Sequence, residues 1–189
     1  MKKLAKRVTN KIAEIQRLHR IEISIIALLT VLFVWFLNGY EFVLNHSESL
    51  PLKAIIIKKN KLPVEKGDIF VFYVRNNPAY QSKEVKFIKM LGGSADDVIS
   101  IKASETLKTL KTEESAESPL KTLLVNGAEI GKIKTESLKG MALHQVSEGK
   151  IPPHKFFAYT THTDSYDSRY SEIGLIDEKD IIGTAVFVF

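Results

Sequence analysis

The chain has no cysteine. That excludes structural disulfides, cysteine-ligated zinc and a thiol nucleophile. Other signals are missing too. The five histidines, at 19, 46, 144, 154 and 162, show no H-E-x-x-H or comparable metal spacing. No G-x-S-x-G strand-to-helix elbow occurs. Gly127-Ala-Glu-Ile-Gly131-Lys132 imitates a phosphate-binding loop but is one residue short and lacks the hydroxyl residue after the lysine, so it reads as hairpin. Ser118-Pro-Leu-Lys121 matches an S-x-x-K tetrad with no K-T-G downstream.

Charge of either sign is absent from Ile23 to Tyr40, between Glu22 and Glu41. Eighteen helical residues span about 27 Å, close to a bilayer's hydrocarbon core. The run is too long for the apolar part of a cleaved leader, and no Ala-x-Ala follows it. Trp35 and Tyr40 lie toward its far end, where interfacial aromatics collect. Residues 1–20 hold seven Lys and Arg against Glu14 alone, which leaves the remainder of the +5 chain nearly neutral. A nucleic-acid-binding protein would spread its basic charge over a folded face, so no nucleic-acid partner is expected. The positive-inside rule instead keeps this tail cytoplasmic. Three segments are expected: a basic cytoplasmic tail at 1–20, a membrane anchor at 21–44, and an extracytoplasmic domain at 45–189.

That domain reads as mainly β. KAIIIKK at 53–59, IFVFYV at 69–74, VKFIKML at 85–91, VISI at 98–101, KFFAYTT at 155–161 and the terminal IIGTAVFVF all have β-branched and aromatic cores. Gly67-Asp68 marks a turn, Gly92-Gly93 is expected to end the third of these strands, and Asn126-Gly127 within LLVNGAEI signals a tight hairpin. Residues 102–122 are polar and aperiodic and read as an insertion.

Three features could carry chemistry. Ser47 and Ser49 stand two residues apart just beyond the anchor. Lys89 sits inside an apolar strand. If Phe87 and Leu91 face the core, alternation buries Lys89 with them and lowers its pKa toward that of a general base. If Ile88 and Met90 face inward, Lys89 is in water. The third is the polar cluster from His162 to Tyr170. It reads as a loop pinned by an Asp167–Arg169 pair, or as the source of His162 for a Ser-His-Asp triad.

In order, these pieces resemble the signal peptidase I superfamily, membrane-anchored serine proteases with a Ser-Lys dyad, and more narrowly its conjugative-transfer, TraF-type branch. Ser165-Tyr-Asp-Ser-Arg-Tyr170 with Gly174 and Ile181-Ile-Gly183 is similar to the family's S-x-D-S-R-Y…G…I/V-x-G signature. Lys89-Met-Leu-Gly-Gly-Ser-Ala-Asp-Asp97 is similar to its K-R-x-x-G-x-x-G-D, with Met90 in place of arginine. Asn45-His-Ser-Glu-Ser-Leu-Pro51 resembles the branch's N-x-[ST]-x-S-x-P. Tyr159-Thr-Thr161 replaces the Gly-Asp-Asn usual in housekeeping signal peptidases, and proline follows Ser49 by two residues rather than three. Both departures favour the conjugative branch.

The resemblance implies a signal-peptidase-like β-domain with Ser49 as nucleophile, Lys89 as base, Ser47 as an oxyanion donor beside the Ser49 N–H, Ser165 orienting the lysine, and Asp167–Arg169 supporting that loop. No cofactor and no metal are expected. It implies an anchor in the bacterial inner membrane, a prepilin or other precursor protein as substrate, and components of a conjugative type IV secretion apparatus as partners. Members of this branch also join pilin ends. A general signal peptidase I, and a non-catalytic assembly protein of a secretion channel with the same fold, are the alternatives.

Overall fold

A computed structural model of the chain describes residues 2–77, 79–80, 83–103 and 121–189. Residues 104–120, nearly all of the expected insertion and with them most of the S-x-x-K tetrad, lie outside the described residues. The chain divides into two units, Met1–Glu41 and Phe42–Phe189.

The first unit is the helix α1 (Lys2–Gly39). Its stretch Glu14–Gly39, 26 residues long, is long and apolar enough to cross a membrane. Helix runs from the basic tail into the apolar run without a break. The two hydroxyls within that run are satisfied inside the helix, Ser24 Oγ donating to Arg20 O at 2.9 Å and Thr30 Oγ1 to Ile26 O at 2.8 Å. The helix stops at Gly39 rather than continuing to 44, and Tyr40–Leu44 is already strand. Tyr40, Phe42 and Val43 give those residues their β character.

The second unit is mainly β. Its strands are β1 (Tyr40–Leu44, shared with the first unit), β2 (Ala54–Lys59), β3 (Ile69–Arg75), β4 (Glu84–Gly93), β5 (Val98–Ala103), β6 (Lys121–Val125), β7 (Ala128–Ile133), β8 (Gly149–Lys150), β9 (Lys155–Tyr159), β10 (Ile176–Asp177) and β11 (Ile181–Val188). Seven form one sheet in the order β1-β2-β11-β3-β4-β9-β10, and four form another in the order β7-β6-β5-β8.

The apolar run of β3, Ile69–Val74, is unbroken because both faces of the large sheet are covered there. Phe70, Phe72, Val74, Phe87 and Leu91 face one core, while Val71 and Ile88 face another with Ile55 and Ile57 of β2. β9 alternates in the same way. Phe156 and Ala158 join the first core, and Phe157 joins a third core built on the small sheet with Ile99, Leu123, Val125 and Tyr170.

Three glycines of the large sheet follow from close approach. Gly92-Gly93 does not end β4: the strand runs through both, with a register shift where Gly93 pairs with Phe157. A Cβ on Gly92 would stand 2.8 Å from the Tyr159 ring, and one on Gly93 would stand 2.9 Å from Ile151. At Gly183 the backbone of β2 comes closer still, with Lys58 O 2.3 Å from where a Cβ would be. The Asn126-Gly127 turn is the tight hairpin that its sequence predicts, with φ of 51° and 79°, as a two-residue turn with both φ positive requires.

Candidate active site

β4 carries Lys89 opposite Phe70 of β3 in the middle of the large sheet. Phe87, Lys89 and Leu91 share a face by alternation, and the first and last are in the core. Lys89 is consequently only 5% exposed. Neither of the two orientations read from the pattern is complete on its own, since Ile88 and Met90 are covered as well, by the core on the opposite face. Met90, standing where the family pattern has arginine, belongs to that face and leaves Lys89 in place. Loss of water around the ammonium pushes the Lys89 pKa down to about 8; Asp167 opposes the shift and Arg169 adds to it.

The ammonium nitrogen meets two hydroxyls. Lys89 Nζ lies 2.8 Å from Ser165 Oγ and 3.1 Å from Ser49 Oγ. Ser165 is buried, whereas Ser49 is half-buried and Ser47 is exposed. Ser49 Oγ is also 2.9 Å from Ser47 Oγ. Residues 89, 49, 165 and 47 thus form one continuous polar chain reaching from the core to the surface.

Each hydroxyl is placed by its own loop. Ser47 and Ser49 lie in the segment between β1 and β2, whose ends are pinned where Asn45 N–H donates to Lys53 O at 2.9 Å. Ser165 lies in the segment between β9 and β10. The Ser165 N–H donates to His162 O at 3.2 Å, and its carbonyl accepts from Arg169 Nη2 at 3.1 Å.

Arg169 and Asp167 organise that second loop. Their pair is bidentate, at 2.9 and 3.0 Å, with side chains 1% and 0% exposed. The remaining donors and acceptors are used: Asp167 accepts the backbone N–H of Thr160 and of Arg169, and the guanidinium donates to the carbonyls of Lys132 and His162. Burial works against the Arg169 charge, but the Asp167 hydrogen bonds outweigh it and its pKa is raised. Among the described residues no buried side-chain nitrogen or oxygen lacks a partner, which is the condition under which a buried ion pair is tolerated.

All six residues singled out by the resemblance (Ser47, Ser49, Lys89, Ser165, Asp167 and Arg169) meet in this one region. His162 does not join the serines. It is exposed, and its Nδ1 accepts the Asp164 backbone N–H at 3.1 Å.

Some neighbours were not foreseen. Asn45 brackets the serine segment with four hydrogen bonds. Its position two residues before Ser47 is an Asx-turn signal that was there to be read. Gly131, dismissed as hairpin, leaves room for Arg169, whose Nη1 lies 2.9 Å from where a Cβ would stand. Asp97 holds the segment after β4 by accepting the Ser94 N–H at 2.9 Å and pairing with Lys66 and Asn126. Tyr166, between Ser165 and Asp167, donates to Asn77 Oδ1 at 3.2 Å. Among the described residues no cluster of His, Asp and Glu is arranged to hold a metal.

Comparison with known proteins adds one result. Residues 15–189 match the protein family described as signal peptidase, peptidase S26. No curated protein matches the chain.

Proposed function

The chain belongs to the signal peptidase family, peptidase S26, and on that premise we propose how its residues divide the chemistry. It is a serine endopeptidase, and precursor proteins are its substrates. Ser49 is the nucleophile and Lys89 the general base. The neutral amine takes the Ser49 Oγ proton as Oγ adds to the scissile carbonyl. Ser47 Oγ–H and the Ser49 N–H donate to the resulting oxyanion. As the C–N bond breaks, the Lys89 ammonium returns its proton to the leaving amine, and an acyl-enzyme remains on Ser49. Water, deprotonated by Lys89, then releases the product. The observation that carries this reading is the placement of one buried, easily deprotonated lysine 3.1 Å from a half-buried serine hydroxyl. A base within hydrogen-bond reach and held by a further group is what activates a serine. Here the further group is Ser165.

The placement is membrane-linked. The apolar helix ends at Gly39, ten residues before Ser49 in the sequence. Phe42 and Leu44 on β1 and Phe187 and Phe189 at the end of β11 are exposed, an apolar edge suited to lipid. With the basic residues of the tail held in the cytoplasm, the peptidase domain lies outside the inner membrane, where a precursor's cleavage site emerges.

The substrate we favour is a conjugative prepilin. Pro51 two residues after Ser49, and Tyr159-Thr-Thr161 in place of Gly-Asp-Asn, are the support for that branch. An acyl-enzyme captured by the pilin's own amine instead of water would close a ring, and a conjugative secretion apparatus would receive the product. The family match itself favours a second reading, a general signal peptidase. Co-expression with a prepilin and, separately, with a secretory precursor decides between them, with intact mass as readout. A pilin-specific enzyme cuts the first and spares the second. Equal processing of both selects the general enzyme. A pilin product lighter by one further water shows ring closure.

A further inference from the structure

Asn45 has no part in the roles assigned so far, yet it makes more hydrogen bonds to the serine segment than any residue of the dyad. Its Oδ1 accepts the Ser47 N–H at 3.0 Å and the Ser47 Oγ–H at 2.9 Å. Its Nδ2 donates to Leu50 O at 3.2 Å and Leu52 O at 2.9 Å. The amide cannot be turned over. A flipped group would aim N–H at the Ser47 N–H and oxygen at two carbonyls. The two halves of one carboxamide therefore clamp the chain before and after Ser49.

We propose that Asn45 is a positioning residue that sets the direction of the hydroxyl protons at Ser47 and Ser49. The inference rests on the Ser49–Lys89 reading above. A serine hydroxyl has one proton. With that of Ser47 given to Asn45 Oδ1, Ser47 Oγ is left as an acceptor, 2.9 Å from Ser49 Oγ. While Lys89 is an ammonium it donates to Ser49, which donates to Ser47, which donates to Asn45. Each hydroxyl proton then has an acceptor, and the nucleophile's proton points away from the base. When Lys89 loses its proton, the Ser49 O–H turns to Nζ. Ser47 is then free to rotate its own proton from Asn45 onto a developing oxyanion. Asn45 Oδ1 keeps the Ser47 N–H throughout, so the Ser47 backbone stays fixed and only its hydroxyl moves. With the backbone fixed, one hydroxyl rotation brings the donor to the developing charge, where such donors lower the barrier.

The test is a cycle of Asn45→Ala, Ser47→Ala and the double variant in the full membrane protein, with kcat and KM measured on a precursor. Asn45 acts through Ser47, so the loss cannot exceed the about 10²–10³ expected for removing the Ser47 donor. Asn45→Ala should lower kcat by about tenfold or more within that limit, with KM and the pH midpoint unchanged. In the Ser47→Ala background it should cost less than about twofold. An equal loss in both backgrounds, or a loss expressed in KM, makes Asn45 a loop clip only and overturns the proposal. Full activity of Ser47→Ala also overturns it while leaving the dyad standing; activity of Lys89→Ala removes the dyad itself. If Asn45→Ala does not fold, Asn45→Ser, whose hydroxyl still closes a weaker turn on the Ser47 N–H, gives the same comparison.

Discussion

Lys89 Nζ stands 3.1 Å from Ser49 Oγ across forty residues of sequence. The contact joins the centre of the large sheet to the first segment after β1. It exists because two unrelated pieces of chain are each fixed independently: Lys89 by the strand register of β4 against β3, Ser49 by the segment whose ends meet where the Asn45 N–H donates to Lys53 O.

The pH dependence follows from the burial of Lys89. Its base form accumulates as pH rises through about 8, so kcat/KM should rise through that value and level off above it. Asp167 holds the midpoint up against desolvation. Asp167→Asn should therefore shift the midpoint of any residual activity downward. A profile already flat at pH 6 would contradict the assignment of Lys89 as base.

Stability should carry a mark of the same lysine. Its folded pKa of about 8 lies below the ordinary 10.5. Below pH 8 the folded state holds a poorly solvated ammonium, and that cost is present in full. At about 1.4 kcal/mol per unit it amounts to about 3 kcal/mol. Between pH 8 and 10.5 the unfolded chain binds more protons, so wild-type stability recovers as pH rises. Lys89→Met removes the cost but strands the Ser165 hydroxyl, an offset of about 1–3 kcal/mol. The expected outcome is an inactive variant whose Tm relative to wild type falls between pH 8 and 10. Thermal scans of both proteins at three pH values measure it.

Arg169 and Asp167 are a structural pair with both side chains buried. Arg169→Ala leaves an unpaired carboxylate inside the domain, and such breakages cost about 3–5 kcal/mol. At about 2–4 °C per kcal/mol for a domain of this size, the Tm should drop by at least 6 °C by the same scaling. Arg169→Lys should recover little of it, because one ammonium cannot reproduce the fork to Asp167 and the carbonyls of Lys132, His162 and Ser165. Circular dichroism melts of the two variants check this.

Gly183 and Gly127 are required for different reasons. At Gly183 a Cβ meets the carbonyl of Lys58 at 2.3 Å, backbone that cannot move aside without unpairing β2 from β11. At Gly127 nothing lies within 4 Å and only the positive φ of 79° is at stake. Gly183→Ala should cost about 3 kcal/mol or more, and Gly127→Ala about 1–2 kcal/mol. Denaturant titration ranks them; the reverse order would mean that the β2–β11 contact relaxes freely.

Much of the fold is legible in the sequence because its signals are local. IFVFYV has no reading but a strand covered on both sides, and Asn126-Gly127 can hardly be anything but a tight turn. The uncharged run from Ile23 gives the helix and nearly its end, since the run closes at Tyr40 and the helix at Gly39, while the residues up to 44 form strand because Tyr40, Phe42 and Val43 favour it. Gly92-Gly93 misleads. Glycine reads as a breaker, while here it admits the rings of Phe157 and Tyr159 to the strand, and that approach comes from tertiary packing. The orientation of Lys89 lay beyond periodicity altogether. Alternation shows which residues share its face but not that both faces are covered. The site itself was readable only through the family's ordered motifs, because its distances span three separate segments. Asn45 was visible within one of those motifs, but its contacts on both sides of Ser49 arise only in the folded segment.

The most direct test is precursor processing in membranes from cells that have no other capable peptidase, comparing wild type with Ser49→Ala, Lys89→Ala, Lys89→Arg and Ser47→Ala. General-base assistance alone is worth about 10²–10⁴, and an arginine stays protonated at any working pH. Ser49→Ala, Lys89→Ala and Lys89→Arg should therefore leave the precursor uncut, while Ser47→Ala slows cleavage by about 10²–10³ without abolishing it. Normal processing by Ser49→Ala or by either Lys89 variant would contradict the dyad.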